Sequence, residues 1–325
     1  MTVLITGVAG FIGFHVAEAL IARGERVVGI DSLNDYYPVS LKQARLERLG
    51  RHNAFSFARV DISDLEGLKA ALVPFGPIRR IVHLAAQAGV RYSIDNPFAY
   101  AQANLVGHLA ILEHCRHQDG FEHLVYASSS SVYGGNKKVP FAVGDPVDHP
   151  VSLYAATKKA DELMSHAYSH LYRFPQTGLR FFTVYGPWGR PDMAYWLFTE
   201  AILKGKPIRI FNHGDMKRDF TYIDDIVAGI VAALDNPPTG GDGAPQRVYN
   251  IGNHRAEPLM KFVSVLEDAL GRKAEKQLEP MQPGDVYETY ADIGDIERDL
   301  GYRPTTTIEE GLPKFVRWYR DYHGV

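Results

Sequence analysis

A glycine turn, Gly7-Val8-Ala9-Gly10-Phe11-Ile12-Gly13, set between an apolar β-rich run and a helical pattern, constrains this chain more than any other feature. Val3-Leu4-Ile5 leads into it, and a helix from about Ile12 to Arg23 leaves it. Early glycines permit a tight turn and close backbone approach to a pyrophosphate at the positive end of the helix dipole. Gly13 lets helix and strand pack closely. The spacing is G-x-x-G-x-x-G rather than the more usual G-x-G-x-x-G. Asp31 closes the run Val27-Val28-Gly29-Ile30, where an acidic residue accepts from both hydroxyls of an adenosine ribose and repels a 2'-phosphate. No Arg or Lys follows among Ser32, Leu33 and Asn34, so the expected cofactor is NAD rather than NADP. Asp61 and Ile62, after the third apolar run, either lie near the adenine or form an ordinary strand-end turn.

Further β-rich runs follow at Phe55-Ser56-Phe57, Ile81-Val82-His83-Leu84 and Leu124-Val125-Tyr126, with helical stretches at Phe98 to His117 and Leu153 to Tyr172. Continuous apolar strands alternating with helices imply a parallel sheet covered on both faces. The expected class is therefore α/β, a Rossmann-type doubly wound parallel sheet with a smaller C-terminal α/β substrate lobe. After Leu179-Arg180-Phe181-Phe182 the rhythm breaks into Pro- and Gly-bearing segments. We place the nucleotide domain at residues 1–180, with 220–252 returning to it, and the second lobe at 181–219 and 253–325. Asn236 to Gly243, rich in Pro and Gly, is expected to be a mobile surface loop.

Composition narrows the partners. A net charge of -3 with no extended basic block argues against nucleic acid and anionic membranes. No apolar stretch approaches the ~20 residues needed to span a bilayer. The one cysteine, Cys115, excludes an intramolecular disulfide and a Cys-based zinc site, and fits a reducing, cytoplasmic setting. His166 and His170 share a helix face at metal-like spacing but lack a third ligand and a catalytic Glu, so no metal is expected.

Tyr154 and Lys158 are four residues apart on a helix and so share one face. A phenol is a poor base at neutral pH, but a neighbouring ammonium favours its phenolate. The pair is thus an acid/base candidate with its own activator.

With the glycine loop, Leu84-Ala85-Ala86, Ser128-Ser129-Ser130-Ser131-Val132-Tyr133-Gly134 and Tyr154 to Lys158, the chain resembles the extended short-chain dehydrogenase/reductases almost end to end. Within them it is most similar to the nucleotide-sugar epimerases that act on UDP-glucuronate at C4. The segments Arg180 to Met193 and Arg218 to Asp225 carry that closer match.

The resemblance implies roles by position. Tyr154 would take the substrate O4 proton, Ser129 would bond the 4-hydroxyl and help shuttle the proton, and Lys158 would hold the nicotinamide ribose. NAD would be bound by Gly7, Gly10, Phe11, Ile12, Gly13, Asp31, Asp61, Ile62, Leu84, Ala85, Ala86, Asn104, Tyr154 and Lys158. Hydride transfer from C4 gives a 4-keto sugar, and return to its other face inverts the centre. In a uronic acid that ketone is a β-keto acid, prone to lose carbon dioxide, so the carboxylate must be clamped out of alignment. Arg190 is the implied clamp, suited by its bidentate fork, with Thr183 and Ser130 in support. Arg218 is implied as a pyrophosphate ligand, Asp285 as a uridine-ribose ligand, and Arg91 on a loop that closes over the sugar. The resemblance also implies a homodimer built on the helices at Phe98 to His117 and Leu153 to Tyr172.

Relatives that dehydrate carry an Asp-Glu pair where this chain has Ser130 and Ser131, and uronate decarboxylases carry a Glu in that stretch. The expected activity is therefore 4-epimerisation of UDP-glucuronate to UDP-galacturonate, feeding polysaccharide biosynthesis. A UDP-glucose or UDP-N-acetylhexosamine 4-epimerase, which commonly has Asn at the place of Thr183, is the nearest alternative. A non-catalytic NAD-binding regulator is the alternative of another class.

Overall fold

The computed structural model describes residues 1–241, 243–282 and 286–325. Ten strands and nine helices come first along the described residues. They are β1 (Thr2–Thr6), α1 (Phe11–Ala22), β2 (Arg26–Asp31), α2 (Val39–Leu49), β3 (Phe55–Arg59), α3 (Leu65–Leu72), β4 (Arg80–His83), α4 (Tyr92–Asp95), α5 (Pro97–Tyr100), α6 (Gly107–Arg116), β5 (His123–Ser129), α7 (Leu153–Tyr172), β6 (Gln176–Phe181), β7 (Thr183–Tyr185), α8 (Ala194–Leu203), β8 (Ile208–Ile210), β9 (Lys217–Tyr222), α9 (Ile223–Asp235) and β10 (Gln246–Ile251). The chain closes with β11 (Ala256–Pro258), α10 (Leu259–Leu270), β12 (Lys276–Leu278), α11 (Gly294–Leu300) and α12 (Ile308–His323).

Seven strands form one sheet in the order β10-β6-β5-β4-β1-β2-β3, and every pairing in it is parallel. Alternate residues of a strand face opposite sides, and both sides here are apolar. Val3, Ile5, Val27, Val82, Val125 and Leu179 pack with Phe14, Ala17 and Leu20 of α1 and Ile226 and Ile230 of α9. Leu4, Val28, Ile30, Ile81, Leu124 and Tyr126 pack instead with Leu68 and Leu72 of α3 and Ile111, Leu112 and Cys115 of α6. This two-faced burial is why these strands read as unbroken apolar runs.

The order reverses between β1 and β4, and at such a point the loops leaving neighbouring strands diverge to opposite faces and open a crevice for a ligand. That crevice positions everything described below. The first apolar core continues into the second lobe through Tyr185, Trp196, Phe220, Phe262 and Phe315, so the two parts share packed side chains.

The segment expected to return to the nucleotide domain divides. β10 joins the seven-stranded sheet beside β6, and α9 packs on α1. β9 instead pairs with β7 and β11 in a separate three-stranded sheet, so Phe220 to Tyr222 lie outside the seven-stranded sheet. The helix expected over Phe98 to His117 is also broken. Between α5 and α6 the residues Ala101–Val106 form a π-helical turn, a wider winding that recurs at functional sites. No described helix is long and apolar enough to cross a membrane.

Candidate active site

The glycine turn folds onto itself before α1. Gly7 has φ +71°, and the Gly10 N–H donates to its carbonyl at 2.9 Å. A Cβ on Gly7 would lie 2.8 Å from the Ala85 nitrogen, and one on Gly13 only 2.3 Å from the Gly7 oxygen. Both positions therefore exclude a side chain, and the turn abuts the segment leaving β4. The α1 N-terminus has no side-chain cap and no acidic residue in its first turn. Its leading N–H groups are those a helix leaves for an anion.

A cleft of about 500 Å³ opens over this turn. Gly7, Gly10, Phe11, Ile12, Gly13, Asp31, Asp61, Ile62, Leu84, Ala85, Ala86, Ser129, Tyr154, Lys158 and Arg190 all line it. The Asp31 carboxylate accepts from the Leu33 N–H at 2.8 Å and the Ala9 N–H at 3.2 Å. Burial pushes its carboxyl above the ordinary range, opposed by the Leu33 bond and by Lys42. Lys42 also lines the cleft and donates to Asn34 Oδ1 at 2.6 Å and Asn34 O at 2.8 Å. Sequence reasoning missed it, along with Tyr36 and Gln87, because nothing in their spacing announces that the loops after β2 and β4 converge.

Helix α7 starts where Ser152 accepts from the Ala155 N–H at 3.1 Å, a side-chain cap that fixes the first turn. Tyr154 then faces the cleft with its ring edge-on to Tyr100, centroids 6.0 Å apart. Lys158, one turn further, donates from Nζ to Ala127 O and to Asp161 Oδ2, both at 3.0 Å. Ser129 ends β5, and its Oγ donates to Ser131 Oγ at 3.1 Å while accepting from the Ser131 N–H at 3.2 Å.

Ser130 and Ser131 line a second cleft of about 210 Å³, together with Thr183, Arg218 and Val90. The serine segment thus forms part of both walls, with Ser129 on one cleft and its two successors on the other. Arg218 donates to Val286 O at 2.6 Å and to Tyr287 O at 3.0 Å. Asp285 lies outside the described residues.

Other expected positions fall elsewhere. Asn104 does not line either cleft. Buried in the π-helical turn, it accepts from the Gln87 N–H at 2.8 Å and donates to Gln87 O at 3.1 Å and Thr157 Oγ1 at 3.0 Å. Its amide supports the loop after β4, which in turn meets the cleft. Arg91 stands over the Phe211 ring at 5.2 Å, with Arg209 over the same ring at 5.1 Å. Arg190 lines the larger cleft, and Thr183 and Ser130, the partners expected to act with it, line the smaller. His166 bonds Gln246 Oε1 at 2.9 Å, and no group of three or more potential metal ligands occurs among the described residues.

The fold and the cleft define a Rossmann-type nucleotide-binding protein with a phenol and an ammonium at the cofactor crevice. The chain belongs to the NAD dependent epimerase/dehydratase family, whose model matches residues 3–252. It is 52% identical over 334 residues to UDP-glucuronate 4-epimerase 4 of Arabidopsis thaliana, covering 99% of this chain and 76% of that protein. A probable UDP-glucuronate 4-epimerase of Rhizobium meliloti (strain 1021) is 49% identical, with 98% and 97% covered. Among solved structures, UDP-glucuronic acid 4-epimerase from Bacillus cereus, in complex with UDP-glucuronic acid and NAD, superposes with a TM-score of 0.90. That protein is 36% identical, and the match covers 99% of this chain and all of it.

Proposed function

We propose that this chain is a UDP-glucuronate 4-epimerase, an isomerase that interconverts UDP-glucuronate and UDP-galacturonate using bound NAD. One observation carries the reading: Ser129, Tyr154 and Lys158 border the dinucleotide-sized cleft, while serines rather than acids occupy positions 130 and 131 on the adjoining one. The names of relatives about half identical to the chain support it.

The cleft fits the cofactor, since its glycines leave no room for side chains and its helix N-terminus is uncapped. Gly7, the run from Gly10 to Gly13, Asp31, Asp61, Ile62 and the Leu84 to Ala86 segment would hold the dinucleotide, with Lys158 on the nicotinamide ribose. When bound, NAD supplies an acceptor for the C4 hydride and later the donor that returns it. Tyr154 takes the O4 proton as the ketone forms and gives it back as the ketone is reduced. Ser129 bonds O4 and keeps the proton path short. Arg218 and Asp285 hold the nucleotide while the sugar turns, so the ketone stays bound.

Arg190 is assigned to the C6 carboxylate, with Thr183 and Ser130 in support. Holding that group out of line with the C4 carbonyl suppresses decarboxylation. With serines at 130 and 131, the serine segment offers no acid to expel a C6 substituent, which separates it from that of a dehydratase. A side-by-side assay of UDP-glucuronate, UDP-glucose and the UDP-N-acetylhexosamines tests the substrate. We expect UDP-glucuronate to be used most efficiently, and preference for UDP-glucose would move the assignment to the alternative epimerase.

We also read the protein as a cytoplasmic homodimer acting in polysaccharide biosynthesis. Phe98, Leu163 and Leu171 are 84%, 57% and 65% exposed on the helical stretches assigned to pairing. Large apolar side chains left exposed on these stretches favour a second copy. Leu163→Asp should yield a monomer in light scattering.

A further inference from the structure

Asp161 lies one turn beyond Lys158 on α7 and beneath the floor of the cleft, and the chemistry assigned above makes no use of it. Its Oδ2 accepts from Lys158 Nζ at 3.0 Å, and both side chains are almost wholly buried, 1% and 5% exposed. Its other oxygen, Oδ1, is buried with no hydrogen-bond partner among the described residues. Asp161 does not line the cleft, whereas Lys158 and Tyr154 do. An ammonium has three N–H donors. Ala127 O and Asp161 take two of them, which leaves one for a ribose.

The charges around this carboxyl are few. On its own helix are Lys158 and Glu162, and Glu162 is engaged by Arg180 of β6 at 2.8 and 2.9 Å and by the Ser128 hydroxyl. From α6, His108 approaches with its Nε2 on Ser165 Oγ at 2.9 Å, and His83 of β4 stacks on it at 5.2 Å. Burial keeps both imidazoles neutral. Tyr126 of β5 completes the wall, its hydroxyl pushed up by burial and then by Glu162. Lys158 is therefore the cation that Asp161 contacts, and an ion pair projects a much weaker field than an isolated ammonium.

We propose that Asp161 is a positioning residue that attenuates the charge Lys158 presents to Tyr154, so that its carboxyl sets the pH range over which Tyr154 serves as base. This rests on Tyr154 and Lys158 acting as a pair but not on the identity of the sugar. Burial first, against the pull of Lys158, raises the Asp161 carboxyl to about 6. Above that pH the carboxylate offsets the ammonium. Below it the neutral acid leaves the ammonium's charge unopposed.

The test is Asp161→Asn, which keeps size and an acceptor but removes the charge, read in the NAD-loaded protein. Phenolate absorbance assigned to Tyr154, by subtraction of the same protein carrying Tyr154→Phe, should develop about one pH unit lower than in the unaltered chain. The acid limb of turnover should move the same way, and Asp161→Glu should restore both. NAD affinity should change less than about threefold, since the carboxyl acts through Lys158. Asp161→Ser provides a second uncharged variant. Unmoved midpoints in either folded variant overturn the proposal, as does loss of the fold in both, which would make Asp161 purely structural. The absorbance readout needs no sugar, so inactivity toward UDP-glucuronate would count against the proposed function while leaving this measurement decisive.

Discussion

Arg190 holds Asp192 in its fork, Nε to Oδ1 at 3.0 Å and Nη2 to Oδ2 at 2.5 Å. Burial opposes the Asp192 charge, but Arg190 and then Tyr36 keep its carboxyl below the usual range. The guanidinium is therefore oriented before any ligand arrives, at the edge of the cofactor cleft. A planar fork with five donors can hold this carboxylate and still reach a second acceptor.

Arg190→Ala should lower kcat/KM for UDP-glucuronate on the order of 100-fold, because it removes the charged partner assigned to the sugar carboxylate and leaves Asp192 with Tyr36 alone as its side-chain donor. NAD affinity should barely change. Arg190→Lys should recover little, since a point charge does not reproduce the bidentate geometry. Steady-state kinetics beside calorimetric titration with NAD separate the two effects, and unchanged turnover would remove Arg190 from the site.

Gly13→Ala should abolish cofactor binding and destabilise the fold. The added methyl would meet the Gly7 carbonyl oxygen at 2.3 Å and backbone cannot yield as a side-chain tip would. Gly24→Ala is the control for a substitution with space but with positive φ: its Cβ meets nothing within 4 Å. It should cost about 1 kcal/mol and leave NAD binding intact. Thermal melting and cofactor titration read both.

Asp219 is fully buried and accepts from Thr221 Oγ1 at 3.0 Å and from the N–H groups of Asn253, His254 and Ala291 at 2.6, 3.1 and 3.1 Å. It ties β9 to the turn before β11 and to the segment near residue 291. Asp219→Ala would strand the buried N–H donors of Asn253 and Ala291 and the part-buried one of His254, and should cost about 3 kcal/mol or more, measured by urea unfolding. A smaller loss than from an exposed substitution such as Asp268→Ala would contradict this.

Acid should weaken the fold through its buried imidazoles. Burial lowers His15 and His123 to about 4, His108 to about 3, and His83 well below its ordinary value. The unfolded chain protonates these groups near ~6.5, so it binds more protons than the native state as pH falls from there, and stability falls with it. Asp161 and Asp219, raised by burial to about 6, act in the opposite direction because the native state takes their protons first. Four histidines outweigh two carboxyls of similar magnitude. His15, His108 and His123 should each cost about 2 kcal/mol by pH ~4.5, with His83 acting in the same direction, and the urea midpoint should drop across that interval. His123→Gln should lessen the drop, and a midpoint independent of pH would contradict the account.

Much of the nucleotide side was legible because its signals are local. The glycine turn marks the start of α1, and Ser152 caps α7 at the start expected from its apolar pattern. Legibility failed where partners come from far along the chain. No periodicity distinguishes the π-helical turn around Asn104 from a continuous helix, and the partners of the Asn104 amide within it, Gln87 and Thr157, lie well away in sequence. Nor does the Phe220 to Tyr222 run disclose which sheet it joins, because β7 and β11 choose its register. The clefts that Arg190 and Thr183 line, and the Asp161 carboxyl beside Lys158, likewise depend on packing between elements.

The central claim is that Tyr154 and Lys158 serve a transient oxidation at C4 whose hydride returns to the same sugar. It is tested most directly with UDP-glucuronate carrying deuterium at C4, incubated with the protein and NAD in ordinary water. The account predicts UDP-galacturonate that retains the deuterium at C4, with no carbon dioxide released and no net NADH. Product that has lost the label to water, a decarboxylated sugar, or no conversion at all would contradict it.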